Sequence, residues 1–329
     1  MGIRESALDV ITSISQSEHI RAITSAGASR KITLANLAKA IVENYEGSTL
    51  AGSARSAKAA IDAIGGDVTQ LRTDVDAICS NVIADGAGAH NSIYRGKSLG
   101  SSVTADQWTA ISNGKFTDLF IGDYWTINNV NYRIADFDYW YRYGDTECTK
   151  HHIVIVPDAN MLTGNGSTTH WMNATDTTAG AYVGSDFYTG NNSNTGKETI
   201  LSAINSAFGS AHILEHREYL KNAVTNGYES AGGWYNSKVE IPTEEMVYGT
   251  KEFKNVMNGT SVPANYTIGH GQLALFRLEH SRICNRASWW LRGVVSASSF
   301  AYVRSSGLCT NTGASDTWVG VRPVFGICA

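Results

Sequence analysis

The chain of 329 residues carries 43% hydrophobic residues, only 17% charged ones and a formal net charge of −4. A length of this order fits two or three units with a substantial core. With no basic stripe, a nucleic-acid surface is disfavoured, and the longest apolar runs, such as "HIVIVP", are far too short to cross a bilayer. The first residues, "MGIRESALDVITSISQ", lack the apolar block of a signal peptide, so we expect synthesis in a cytoplasm without a secretion signal of its own. Five cysteines (Cys79, Cys148, Cys284, Cys309, Cys328) are scattered with no C-x-x-C pair, which argues against a disulfide framework and a zinc site. The 32 Gly, 15 Tyr and 8 Trp, with only 4 Pro, suit a loop-rich surface that makes contact through aromatics and small hydroxyls.

Residues 1–58 read as a first unit. "HIRAITSAGASRKI" alternates around Gly27 and predicts a short hairpin. "TLANLAKAIVENY" places Leu34, Leu37, Ala38 and Ile41 on one helical face, with Thr33 as cap and Gly47 and Ser48 as stop. "GSARSAKAAIDAI" is a small-residue helix. Residues 59–85 carry a heptad seam, with Ile61, Val68, Val75 and Val82 at a and Ile64, Leu71 and Ile78 at d. Asp67 at g and the following Arg72 at e suit a parallel coiled coil, although Gly65 and Gly66 interrupt it at about 1 kcal/mol each against Ala. So short a seam is marginal alone, so flanking domains must associate too.

Residues 86–329 change character. After the flexible joint "ADGAGAHNS", "DYWTINNVNYRIADF" predicts a hairpin turning at Asn128–Asn129. "HHIVIVPD" is a buried strand ended by Pro157. "KETILSAINSAFG" and "ILEHREYLKNAV" read as helices, and "VEIPTEEMVYG" and "GQLALFRL" as strand-like or mixed pieces. "WWLRGVV", "SFAYVRSSG" and "WVGVRPVFGI" read as strands joined by long turns. The fold class is α+β: an N-terminal helical segment, a short coiled coil and a mixed C-terminal domain.

The sharpest enzyme signal is His212, Glu215 and His216, which spell H-x-x-E-H. On a helix the two histidines share a face as zinc ligands would. The plainer reading is polar residues on an amphipathic helix with Ile213, Leu214 and Leu220 inside; no third ligand can be assigned, and we expect no zinc. His151 and His152 precede a buried strand and face opposite sides, so one is expected inward and hydrogen-bonded. Asp136, Asp138, Asp145 and Asp158 have no calcium-loop spacing, and neither a nucleophile elbow nor a phosphate loop occurs. Arg292 and Arg322 stand beside apolar anchors and read as structural, pairing with a buried carboxylate to fasten the last strand. No catalytic residue and no cofactor are expected.

Between Ser288 and Ile327 the sequence has two hard ends and a soft middle. Trp289, Trp290 and Leu291 stand at one end, Val321, Pro323, Val324 and Phe325 at the other, with Ser, Ala, Thr, Asn, Gly and Tyr between. The pattern "SWWLRGVVS…FAYVRSSG…ASDTWVGVRPVFGI" resembles the C-terminal signature of C-type-lectin-fold domains of phage and bacterial ligand-binding proteins. "GDYWTINNVNYRIADFDYW", "TTAGAYVGSDFY", "AFGSAHILEHREYL" and "TEEMVYG" extend the likeness over about Tyr94 to Ile327. The N-terminal residues look similar to head segments of tail proteins of phages that infect gut bacteria.

The resemblance implies a homotrimeric phage tail protein, assembled in the bacterial cytoplasm and carried on the virion. Its N-terminus would be held by other tail proteins, and its lectin-fold head would bind a host-surface receptor, protein or glycan. No nucleic acid and no membrane insertion are implied. In the variable proteins of diversity-generating retroelements, the major tropism determinant among them, miscopied adenines scatter AAC-type codons over residues that exclude Trp, Gln, Met, Lys and Glu. From Gly293 to Val319 only Trp318 belongs to that set, whereas the chain holds 42 such residues, so about three or four would be expected. Trp318 departs from the pattern, as an exception or as a fixed packing residue.

Rigid anchors would let the segment between change without loss of the core. Alternation places Ala301 and Val303 inside and Tyr302 and Arg304 outside. Gly307 and Gly313 mark turns with Leu308, Thr310 and Thr312 at the surface, and Val295, Ser298, Ser299 and Thr317 complete the expected contact set. Two readings compete: a structural tail or decoration subunit without receptor role, and an enzyme, zinc-dependent or related to formylglycine-generating enzymes, for which Cys309 with Cys328 or Cys284 would be the reactive pair.

Overall fold

The structure, a computed structural model, describes residues 20–23, 29–32, 86–164, 169–178, 180–190, 196–226, 228–250 and 271–329. The chain divides into two compact units, Met1–Ala84 and Asp85–Ala329. In the first, β1 (Ile20–Ile23) and β2 (Ser29–Ile32) pair antiparallel, which is the hairpin expected around Gly27. The helices expected over 33–45 and 52–64 and the heptad seam lie outside the described residues.

The second unit is an α+β fold with mostly antiparallel sheets. It opens with α1 (Ala87–His90) and α2 (Ala105–Ser112), whose Thr104 and Gln107 form a reciprocal capping box. β3 (Tyr124–Ile127) and β4 (Val130–Phe137) meet through Asn128 and Asn129, both with left-handed φ (50° and 63°). A two-residue turn whose twist matches the strands requires that, and Asn tolerates it. β5 (Ile153–Pro157) is buried at every residue, as its unbroken apolar run foretold. Next come α3 (Asp186–Thr189) and α4 (Gly196–Phe208), whose Ile200, Ile204 and Phe208 bury one stripe.

The segment expected as a second long helix is not one. His216–Lys221 is strand β6, which buries His216, Glu218 and Leu220 in strict alternation. It is followed by β7 (Val224–Thr225), β8 (Tyr228–Glu229) and β9 (Gly232–Ser237), and pairs with β9 from His216↔Ser237 to Lys221↔Gly232. The apolar positions that suggested a helix are divided here: Ile213 bridges to Ile327, whereas Leu220 points inward from the strand. β10 (Val239–Glu240) leads through the Thr243 cap into α5 (Glu244–Tyr248), a mixed piece as expected, while "GQLALFRL" contains helix α6 (Ala274–Leu278).

The last four strands are β11 (Trp289–Ser296), β12 (Ser299–Val303), β13 (Cys309–Gly313) and β14 (Val324–Ile327). β11 and β12 are joined by two residues, not a long turn, and β13 lies where only turns were expected. One sheet runs β10-β14-β5-β4-β3 and a second β11-β12-β13. The C-terminal strand thus sits inside the larger sheet, with Phe325 opposite Ile155. There Phe325 meets Tyr132 and Phe208, with ring centroids 6.0 and 5.9 Å away.

Candidate functional site

The two hard ends of the Ser288–Ile327 segment are fixed by different chemistry. Trp289, Trp290 and Leu291 are buried at the start of β11, and Val321 to Ile327 at the end. Trp290 N–H donates to Gly320 O (2.9 Å) and Gly320 N–H to Ser288 O (3.0 Å), so the backbone itself closes the base of the segment. At Gly320 a side chain would strike Asn160 and Leu162 O at 2.5 Å.

Arg292 packs on its carboxylate as expected. It is paired with buried Glu218, which also lies 3.1 Å from His216 Nε2. Burial would raise the Glu218 carboxyl, but Arg292 and His216 outweigh it and hold it down at about 2. Arg322, only 1% exposed, departs from the expectation. It donates to two backbone carbonyls, Pro157 O and Arg282 O (2.7 Å each), and lies against the rings of both Phe276 and Trp289, at 5.5 and 5.3 Å. Burial pushes this guanidinium down to about 10, with Asp158 opposing. Carbonyls and ring faces thus take the place of the expected carboxylate.

Between these anchors lies the β11-β12-β13 sheet. Phe300 faces Thr312, and Tyr302 faces both Trp290 and Thr310. Opposed residues share a face, so Tyr302, Arg304, Leu308, Thr310 and Thr312 stand on one side together with buried Trp290 and Phe300; from Phe300 to Val303 both faces of β12 are buried, not one inward and one outward as alternation implied. Exposure differs from expectation at Tyr302, which is 6% exposed and buried, not outward. Trp318 stands edge-on above it (centroids 5.2 Å apart, planes at 88°), and Trp290 flanks it at 6.1 Å. Burial raises its hydroxyl above the ordinary range. Trp318 is itself 46% exposed and Leu308 59% exposed, and Arg304 is exposed beside them.

Val295, Ser298 and Ser299 are half-buried around the β11–β12 turn, where Thr178 Oγ1 donates to Ala297 O (2.8 Å) and Ala314 N–H to Ser298 O (2.9 Å). Thr317 is half-buried, and its carbonyl lies 2.5 Å from where a side chain on Gly164 would begin. The nine expected residues therefore separate. Arg304, Leu308, Thr310 and Thr312 share a sheet face with Tyr302, which alone of them meets the Trp318 ring, whereas Val295, Ser298 and Ser299 lie at the turn. Sequence reasoning missed exposed Asn311 at the middle of β13, whose small polar residues show no pattern, and set Trp318 aside, for which the signal was a lone large aromatic among small residues.

The other constellations do not gather. His212 lies in a 3-10 turn with its ring stacked on Trp108 (4.0 Å) and Nδ1 2.9 Å from Cys328 O. His216 lies in β6, stacked on Trp140, so the helical face that H-x-x-E-H requires is not formed. Among the described residues no three of His, Cys, Asp and Glu are placed to hold a metal ion. Asp136 accepts from Ala274 N–H and Asn91 Nδ2 (2.9 Å each), Asp145 pairs with Arg217, and Asp158 with Arg133. Both neighbouring histidines meet Asp138, through His151 Nδ1 (2.7 Å) and the His152 N–H (2.9 Å), and the His152 ring is the inward one. Cys284 and Cys309 are half-buried and Cys328 is buried, and none of the three is in a disulfide.

A cleft of about 440 Å³ opens beside the β3–β4 turn, lined by Asn128, Asn131, Asp158, Asn160, Met161 and Ala203 among others. Three of its polar side chains are engaged by neighbours outside the lining: Asp158 by Arg133 Nε and Nη2 (2.7 and 2.5 Å), Asn131 by Thr126 Oγ1 (2.8 Å), and Asn160 by Ser288 O and Asn285 (2.9 and 2.8 Å). Among the described residues no helix is long and apolar enough to cross a membrane. Compared with known proteins, the chain matches no family model, no curated protein and no solved structure.

Proposed function

We propose that the unit Asp85–Ala329 is the head of a phage tail protein, a C-type-lectin-like domain that adheres to a host-surface ligand through the span between β11 and β14. The supporting observation is the pattern of exposure. Both ends of the span are buried, and between them stand Leu308 and Trp318, two of the three large hydrophobics exposed among the described residues. A plain solvent face has no reason to raise an indole over a tyrosine beside a bare leucine and an arginine; a contact surface does. In this reading residues 1–58 attach the protein to other tail proteins, and 59–85 gather three copies through a parallel coiled coil.

The test is adhesion of the full chain to a panel of bacterial strains. Replacing Arg304, Leu308 and Trp318 together by Ala should weaken adhesion at least about tenfold while the melting temperature moves only slightly. Unchanged adhesion by the triple variant sinks the proposed surface; a parent protein that adheres to no strain favours a structural subunit.

A further inference from the structure

Among the described residues, the side chains of Asn128, Asn129, Tyr132 and Ser206 make no hydrogen bond, and all of them line the cleft beside the β3–β4 turn. We propose that this cleft binds a neutral, hydroxyl-rich ligand, a saccharide unit. The site goes beyond the contact surface above, because no residue that lines it belongs to the span between β11 and β14.

Tyr132 carries the inference. From β4 its ring meets Phe208 of α4 and Phe325 of β14 edge-on, with centroids 5.0 and 6.0 Å away. The residue is only 1% exposed, yet it lines the cleft. Burial raises its hydroxyl above the ordinary range. A buried hydroxyl left without a partner costs free energy. One that stands at a cleft is satisfied by what the cleft holds.

The lining selects the chemistry of that ligand. Asn128 and Asn129 present amides from the turn, and Ser206 a hydroxyl from the end of α4. Each of these groups can both donate and accept, as an alcohol does. Among the described residues no cationic side chain lines the cleft, so an anion finds no counter-charge. The carboxylate of Asp158 is taken by Arg133 Nε and Nη2, so a cation is not called for either. The lone pairs left on Asp158 can still accept from a hydroxyl. Ala203 and Met161 supply apolar wall for the C–H face of a sugar ring. The volume of about 440 Å³ lies within the range of small-molecule sites, about 300–1,000 Å³.

The test is titration of the full chain with D-glucose, D-galactose, D-mannose and N-acetyl-D-glucosamine, read by saturation-transfer NMR. At least one of these sugars should bind at millimolar concentration. Tyr132→Phe keeps the ring and removes the hydroxyl. It should weaken that binding at least about tenfold and leave the melting temperature unchanged or higher, since no bond within the protein is lost. Ser206→Trp, at an exposed position of α4, should block the cleft and abolish binding. If no sugar of the panel binds the parent, or if either variant binds like the parent, the proposal is overturned. A melting temperature lowered by about 3 °C or more in Tyr132→Phe would place the hydroxyl's partner inside the protein and overturn it too. The Arg304, Leu308 and Trp318 triple variant should bind the sugar like the parent, whatever becomes of strain adhesion. Loss of sugar binding in that variant would move the site to the contact surface and away from the cleft.

Discussion

Tyr302 and Trp318 exchange the roles that alternation alone would give them. Tyr302 has the outward parity but is roofed by Trp318, so the indole meets solvent while the phenol fills the space above Trp290. Trp318→Ala should cost about 0.5–1.5 kcal/mol, the worth of an aromatic pair, whereas Trp290→Ala should cost roughly 3–5 kcal/mol as a buried aromatic lost from the core. Denaturant melts of the two variants check this, and equal losses would contradict it. Arg292 poses the opposite problem, a buried charge paired directly with Glu218 and helped at longer range by Glu240. Glu218→Gln removes the direct pair and should cost about 3–5 kcal/mol at neutral pH. A loss below 1 kcal/mol would mean that water or another group holds Arg292.

At the scale of elements, the sequence was most legible where one period dominated. The β3–β4 hairpin, the all-apolar β5 and the stripe of α4 follow from spacing alone. β6 did not, because its inward positions are His216, Glu218 and Leu220. Two of these three are polar and belong inside only because Arg292 and the Trp140 ring await them, partners 74 and 76 residues distant. β13 was illegible for another reason: an edge strand of Thr, Asn and Gly buries too little to show a pattern. The candidate surface was half legible. Parity separated the two faces of β12, but both are buried from Phe300 to Val303, and only the path of the chain through Gly164 and Trp318 determined which aromatic covers which. The turn gives a direct check. Asn129→Val, which forces a β-branched residue to φ 63°, should cost about 1–2 kcal/mol, and a neutral result would show that the turn adopts another conformation.

For the whole molecule, two buried carboxyls pull stability in opposite directions with pH. Glu218 is held at about 2, below its ordinary 4.5, so its contribution is present above pH 4.5 and is lost as pH falls toward 2. Asp136 is pushed by burial from 3.8 to about 7, against the donors Ala274 N–H and Asn91 Nδ2. Its contribution is present at acid pH and is lost as pH rises through 7. Together they predict greatest stability near pH 4–5. Melting temperature should fall on both sides, with the acid limb flattened in Glu218→Gln and the alkaline limb in Asp136→Asn; a steady rise from pH 5 to 8 in the parent would refute it.

The position of β14 has a genetic consequence. The strand follows the soft span in the chain, yet it occupies an inner place between β10 and β5. A stop codon or frameshift anywhere in the span therefore deletes or garbles a strand that the larger sheet requires, and the product does not fold. Missense changes on the sheet's outer face leave β14 intact. Copying errors in this stretch of the gene would thus be sorted at translation: those that keep the reading frame leave the larger sheet whole, and those that break it take away its inner strand.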